Sequence, residues 1–246
     1  MDYFELVKIS SQNLEVTNPA APEKLLTIGH NLNLNAELKV IDFGCGYGRT
    51  LALWSEDFGV SGLGVEIHPY LCKRAAERME QSDLSKQIKI SCCNPLDYQP
   101  DGNTYDIVIC LGASFVWGGY LNALQRMKKS LKAKGKIVIG ERYYTKEDVP
   151  GELVKFEGDL NNEFELMGFT RDKGFDVEFA LHASRDDWDR YVSSVWYGLI
   201  QWIDSNQDHP ERQYVIDYLH KRQDMYFRYQ REYEGWVMYI LNQKQY

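Results

Sequence analysis

The run Lys39-Val-Ile-Asp-Phe43 stops abruptly at Gly44-Cys-Gly-Tyr-Gly48, and a helical pattern with Leu51, Leu53 and Trp54 follows over Thr50 to Phe58. A buried strand entering a helix through clustered glycines constrains the chain strongly, because such a turn lets backbone approach a ligand that a Cβ would exclude. The same rhythm then repeats. Strands are predicted at Ser61–Glu66, Ile88–Cys93, Tyr105–Leu111 and Gly135–Gly140, with helices at Pro69–Gln81 and Tyr120–Leu131 between them. Strands alternating with helices imply parallel βαβ units and an α/β, doubly wound, Rossmann-like sheet. After Tyr144 the rhythm changes: a short helix is expected at Leu160–Met167 and a strand at Asp176–His182. Helices are expected at about 185–204 and 210–228, and a last strand at Trp236–Leu241. No repeat, low-complexity tract or linker divides the chain, so one domain over 1–246 with a helical cap is expected.

Composition narrows the classes. A chain of 246 residues, 44% hydrophobic, buries a sizeable core without metals or disulfides. A mean hydropathy of -0.47 and the lack of a long apolar run argue against a membrane span. Met1-Asp-Tyr-Phe-Glu-Leu6 has no apolar stretch of the secretory kind. An excess of 36 acids over 28 bases, net charge -8, disfavours a nucleic-acid partner. Cys45, Cys72, Cys92, Cys93 and Cys110 read as reduced, buried thiols of a cytoplasmic protein. The adjacency of Cys92 and Cys93 fits neither a redox nor a zinc spacing, so no metal is expected.

Glu66 ends the second strand, where a carboxylate is placed to take two ribose hydroxyls. A dinucleotide fold prefers Gly-x-Gly-x-x-Gly, but the third position is Arg49 and Gly48 comes too early. Asp42 sits where its carboxylate can receive loop amides or a cationic amino group. A ligand with an ammonium and a sulfonium fits this better than a pyrophosphate does.

On these residues the sequence resembles the class I S-adenosylmethionine-dependent methyltransferases over roughly residues 20–145. The resemblance rests on Asp42-Phe-Gly-Cys-Gly-Tyr-Gly48, Glu66, Cys93-Asn94, Tyr105-Asp-Ile-Val108 and Leu131-Lys-Ala-Lys-Gly-Lys-Ile-Val138. The whole chain further resembles an uncharacterised bacterial subfamily of small-molecule methyltransferases through several segments. These are Asn18-Pro19, Gly112-Ala-Ser-Phe-Val-Trp-Gly-Gly119, Gly140-Glu-Arg-Tyr-Tyr144, Trp188-Asp-Arg-Tyr191 and Tyr229-Gln-Arg-Glu-Tyr-Glu-Gly-Trp236. The resemblance implies a mostly parallel seven-stranded sheet with a final antiparallel strand. It divides the domain into an N-terminal lid or docking helix (1–36), a cofactor-binding core (37–144), a substrate cap (145–232) and the last strand (233–246).

It also implies S-adenosyl-L-methionine as cofactor, with Gly44, Cys45, Gly46 and Gly48 around its methionine and ribose parts and Asp42 at the amino group. Glu66 would hold the ribose hydroxyls, Ile67 and His68 would pack beside the adenine, and Leu111 and Gly112 would face the sulfonium. The family's adenine-binding Asp is Asn94 here, which still offers a carbonyl oxygen. The next position, Pro95, has no N–H, so either Leu96 donates or the contact is absent. Ala133-Lys134 replaces the family's usual Pro-Gly-Gly pattern before strand five. Asn94-Pro-Leu-Asp-Tyr98 is similar to the Asn-Pro-Pro-Tyr box of nucleic-acid amino-methyltransferases, but that box belongs after strand four, where Leu111-Gly-Ala-Ser114 stands.

Methyl transfer from a sulfonium is an in-line displacement, so positioning and water exclusion carry much of it and no metal is required. A general base helps a protonated acceptor, and the candidates are Glu141, after strand five, and His68. Pairing with Arg142 is the plainer role for Glu141, and adenine packing for His68. Trp117, Tyr143, Tyr144, Trp188 and Tyr229 are expected to line the acceptor pocket, with Arg231 as a polar anchor or as a surface partner of Glu232. Trp188, Tyr191, Trp196 and Trp202 also form a helical stripe of the kind usually found in cores. Tyr3, Phe4 and Asn18 are candidates for a lid. The expected activity is transfer of a methyl group to a small molecule, without nucleic-acid or membrane partners. Its rivals are a nicotinamide-dependent oxidoreductase, disfavoured by the glycine spacing, and a non-catalytic S-adenosylmethionine-binding protein. No motif specifies the acceptor atom or an oligomeric state.

Overall fold

Alternating burial sets the sheet. In β1 (Lys39–Phe43), Val40 joins one core while Ile41 and Phe43 join the other. In β4 (Tyr105–Leu111), Ile107, Ile109 and Leu111 go to the first core, Val108 and Cys110 to the second. Two-sided burial is what strands covered by helices on both faces require. The computed structural model describes residues 1–100, 102 and 104–244. It joins these strands with β2 (Ser61–Glu66), β3 (Ile88–Cys92), β5 (Leu131–Tyr144), β6 (Phe175–His182) and β7 (Glu234–Gln243). The result is a seven-stranded sheet of order β3-β2-β1-β4-β5-β7-β6. Pairings from β3 through β5 are parallel, and β7 is antiparallel to both neighbours. The mixed, doubly wound sheet is thus the expected one.

On one face, α2 (Pro22–Asn31), α3 (Arg49–Phe58) and α4 (Pro69–Gln81) bring Leu25, Ile28, Leu51, Trp54 and Met79 to the first core. On the other, α5 (Tyr120–Met127) and α7 (Glu163–Asp172) bring Leu124, Met127 and Leu166 to the second. A third cluster joins α1 (Tyr3–Ser11), α8 (Arg185–Ser205) and α9 (Arg212–Met225) through Ile9, Leu199, Ile203, Val215 and Leu219. There α1 crosses α8 so closely that a Cβ on Gly198 would lie 2.7 Å from the Ile9 carbonyl oxygen.

Three local expectations change. The helix expected to reach Leu131 stops at Met127, and β5 starts at Leu131 instead of Gly135. Its first residues meet β4 across a bulge and are held by Lys132 to Asp106 at 2.8 Å; its last ones pair with β7, Tyr144 opposite Glu234. A short helix, α6 (Gly151–Glu157), was not anticipated, and α7 begins later than expected because an Asn162–Glu165 capping box sets its start. The strand expected inside the segment 145–232 is present as β6.

The expectation of reduced thiols throughout is also corrected. Cys72 on α4 and Cys92 at the end of β3 are disulfide-bonded, with Cα atoms 5.7 Å apart. Helix–strand packing brings together residues far apart in sequence, at a separation suited to a disulfide. Cys45, Cys93 and Cys110 are free. No helix among the described residues is long and apolar enough to cross a membrane.

Candidate active site

The turn after β1 holds Gly44, Gly46 and Gly48 at φ of 74°, 55° and 69°, where L side chains are strained. Their neighbours differ. A Cβ would lie 2.4 Å from Ala113 Cβ at Gly44, 2.5 Å from Thr17 Oγ1 at Gly46 and 2.9 Å from Met79 Cε at Gly48. Gly48 thus lets α3 start against α4, whereas Gly44 borders a cavity.

Glu66, at the tip of β2, is only 6% exposed. Its Oε2 accepts the Gly46 N–H and its Oε1 the His68 N–H, each at 2.9 Å. Each oxygen keeps a free lone pair, so the carboxylate is oriented by the turn and still able to receive a pair of hydroxyls. Asp42 is 3% exposed, and its Oδ1 has no hydrogen-bond partner. Burial, followed by the charge of Glu66, pushes its carboxyl up to about 7. An unpartnered buried acceptor is costly, and an ammonium in the adjoining cleft, bordered by Asn18, Gly44, Cys45 and Leu111, would complete it.

Gly44, Glu66, Ile67, His68, Pro95, Leu111 and Gly112 meet around a cavity of about 290 Å³ that Tyr3, Phe4 and Val7 of α1 also border. Asn94 and Leu96 are turned to each other instead. Asn94 Oδ1 accepts the Leu96 N–H at 2.9 Å, a local Asx turn that occupies the donor expected to stand in for Pro95.

His68 is buried and fastens α1. Phe4 O can only accept, so Nε2–H donates to it at 2.8 Å; Nδ1 then accepts the Tyr70 N–H at 3.2 Å, capping α4. The Phe4 and His68 rings lie 4.8 Å apart. With both nitrogens engaged, the imidazole is a latch over the cavity, which corrects the idea of His68 as a general base. Replacing it in His68→Leu is expected to speed amide exchange in Tyr3–Ser11 several-fold, from the loss of one hydrogen bond of ~1 kcal/mol. Unchanged exchange by mass spectrometry would mean that packing on α8 alone holds the helix.

A second cavity, of about 590 Å³, shares Thr17, Gly112 and Phe115 with the first. Glu141 borders it. The Glu141 Oε1 accepts the Arg142 backbone N–H at 3.2 Å, and its Oε2 is buried without a partner. Burial holds its carboxyl above the usual range, partly opposed by the Ser114 hydroxyl. The expected pairing with Arg142 is not made, because that guanidinium turns to Glu157 and, at 3.6 Å, to Glu234.

Of the aromatic residues expected here, Trp188 borders the cavity. Trp117 instead packs edge-on against Phe43 at 5.2 Å in the second core. Tyr143 and Tyr144 belong to the extended β5: the first lies edge-on to His182, and the second donates to Gly158 O at 2.6 Å. A π-helical turn over Tyr226–Gln230 carries Tyr229 outward to Glu152 at 2.6 Å and Gln230 inward to Glu157 at 2.6 Å. Arg231 pairs with Asp189 at 3.1 Å, away from this cavity, while Glu232 pairs with Lys146. Thr17, Ser114 and Trp236 border the cavity and were not anticipated. Only Trp236 had a signal. Two-residue alternation puts it on the face of Met238 and Ile240, the same core that Leu111 joins.

Residues 40–135 match the family model described as a methyltransferase domain. Together with the solved structures described next, this match marks an S-adenosylmethionine-dependent methyltransferase domain. Over nearly its whole length the chain is similar to the uncharacterized protein YjhP of Escherichia coli (strain K12). The two are 28% identical over 246 residues, covering 98% of this chain and 99% of that protein. It is also similar to the crystal structure of an S-adenosylmethionine-dependent methyltransferase from Geobacter sulfurreducens in complex with S-adenosyl-L-homocysteine. That match has 27% identity, 98% of each chain covered and a TM-score of 0.92. A methyltransferase from Thiobacillus denitrificans, in complex with the same molecule, matches at 29% identity and a TM-score of 0.92, covering 99% of this chain and 100% of that one.

Proposed function

We propose that this protein is an enzyme that transfers the methyl group of S-adenosyl-L-methionine to a small-molecule acceptor bound in the larger cavity. The observation that carries this reading is the buried Glu66, oriented by two turn amides at the wall of the cavity beside Gly44. The donor supplies an electrophilic methyl carbon on a sulfonium. Glu66 would receive its ribose hydroxyls, Asp42 its ammonium, and Ile67 and Pro95 would flank its base. Thr17, Gly112 and Phe115 border both cavities, so donor and acceptor would meet at that border, and proximity there does most of the chemistry. Helix α1, held by His68, keeps water away from the donor side. Glu141 faces the acceptor side as the candidate base.

Calorimetry is expected to show one site for S-adenosyl-L-homocysteine with a dissociation constant on the order of 1–100 μM. No binding, with heat from a nicotinamide dinucleotide instead, would overturn the reading. The proposal keeps the protein in the cytoplasm, where reductants open disulfides. Thiol titration of protein unfolded from an anaerobic, reducing lysate is then expected to find all 5 cysteines free. A persistent Cys72–Cys92 link under those conditions would contradict that location.

A further inference from the structure

We propose that the methyl acceptor is an amine, which enters the larger cavity as an ammonium and gives its proton to Glu141 Oε2. This rests on the methyltransferase reading and names its substrate class.

The charges around the cavity are uneven once their pairings are followed. Glu141, Glu157 and Asp159 border it together with Arg142 and Arg222. Both arginines bind Glu157, Arg222 at 3.3 Å, and Arg142 also reaches Glu234. Glu157 and Glu234 offset most of that positive charge within the wall, and Glu141 with Asp159 turns the balance that an incoming molecule meets negative. An anionic acceptor would be repelled and a neutral one gains nothing from it; a cation is drawn in.

The unpartnered groups agree with this. Glu141 Oε2 is buried and lacks a donor, which an ammonium N–H provides as a charge-assisted hydrogen bond. Trp188, Tyr191 and Trp236 border the same cavity, and aromatic rings favour cations. The Trp188 and Trp236 indole N–H groups are also buried without acceptors, Trp236 being only 2% exposed. They suit an oxygen elsewhere on the same molecule.

The step balances. The ammonium loses one proton to the Glu141 carboxylate, and the freed nitrogen lone pair forms the N–C bond to the methyl carbon. The C–S bond breaks with its electrons left on sulfur, so an N-methylammonium and a neutral thioether result.

The test uses three probes that differ only in their end group: tyramine, its alcohol analogue tyrosol and its carboxylate analogue 4-hydroxyphenylacetate. Each is titrated into protein saturated with S-adenosyl-L-homocysteine. Tyramine is expected to bind at least about tenfold more tightly than the other two, as one hydrogen bond to a charged group accounts for. Glu141→Gln is expected to abolish that preference while leaving S-adenosyl-L-homocysteine affinity unchanged, which also reports that the variant is folded. Trp188→Leu is expected to weaken tyramine alone. No tyramine binding, equal or tighter binding of the alcohol or carboxylate, or an amine preference that survives Glu141→Gln would overturn the inference. Failure of the protein to bind S-adenosyl-L-homocysteine at all would instead bring down the reading on which it rests.

Discussion

Glu66→Ala is expected to weaken S-adenosyl-L-homocysteine binding by more than about 100-fold. Two hydroxyls donating to a carboxylate contribute roughly 1.5–3 kcal/mol each, and ~3 kcal/mol already exceeds a hundredfold in affinity. The same substitution acts on the fold. Gly46 and His68 lose the acceptor of their buried amides, at about 1–3 kcal/mol for each N–H left without a partner. A lower melting temperature should therefore accompany the lost affinity. Glu66→Gln is expected to show both effects in milder form. Its carbonyl oxygen can satisfy one amide, but its NH₂ must face the other, so a Gln variant cannot orient the turn as a carboxylate does. Calorimetric titration that finds either variant binding like the parent would remove Glu66 from the cofactor site.

The cofactor side was legible in the sequence for a physical reason. Its parts are positions where only a few residue types work. Gly44 and Gly46 have positive φ and no room for a Cβ, and Glu66 must be an acid at the tip of a strand next to that turn. Such requirements leave marks a few residues long. The acceptor side depends on geometry that no short pattern encodes. The sequence pattern ends a strand at Gly140 and leaves Tyr143 and Tyr144 beyond it, yet β7 pairs with β5 as far as Tyr144. One π-helical turn points Tyr229, expected in the pocket, outward and brings Gln230 inward in its place. Periodicity sees a helix there but not the turn that shifts its facing. Thr17 reaches the cavities from a connection between helices, where no periodicity exists to read. The Cys72–Cys92 pair stayed hidden for a similar reason: helix-to-strand distance is a property of packing.

Asp42→Asn is expected to move stability and affinity in opposite directions. In the free protein the carboxyl of Asp42 is pushed from 3.8 up to about 7, by burial and then by the charge of Glu66. A raised carboxyl keeps its proton in the folded state after the unfolded chain has released it, so stability falls as pH rises from about 4 to about 7. Above that window the ionised group costs the free protein up to ~4 kcal/mol, from roughly three units at ~1.4 kcal/mol each. An Asn has no charge to bury, so the variant should melt higher than the parent at pH 8 and differ little from it at pH 4. Glu234, also pushed up to about 7, titrates in the same window. The informative quantity is therefore the difference between variant and parent, in which its contribution cancels.

Binding should respond the other way. An ammonium against Oδ1 favours the ionised Asp42, so affinity for S-adenosyl-L-homocysteine should rise in the parent between pH 5.5 and 7.5, by about tenfold. The Asn variant should show a flatter profile and weaker binding at pH 7.5. A variant that melts lower than the parent at pH 8, yet binds with the parent's pH profile, would mean that Asp42 serves the turn and not the ligand. The opposed signs are what make the experiment sharp, because simple damage to the fold lowers stability and affinity together.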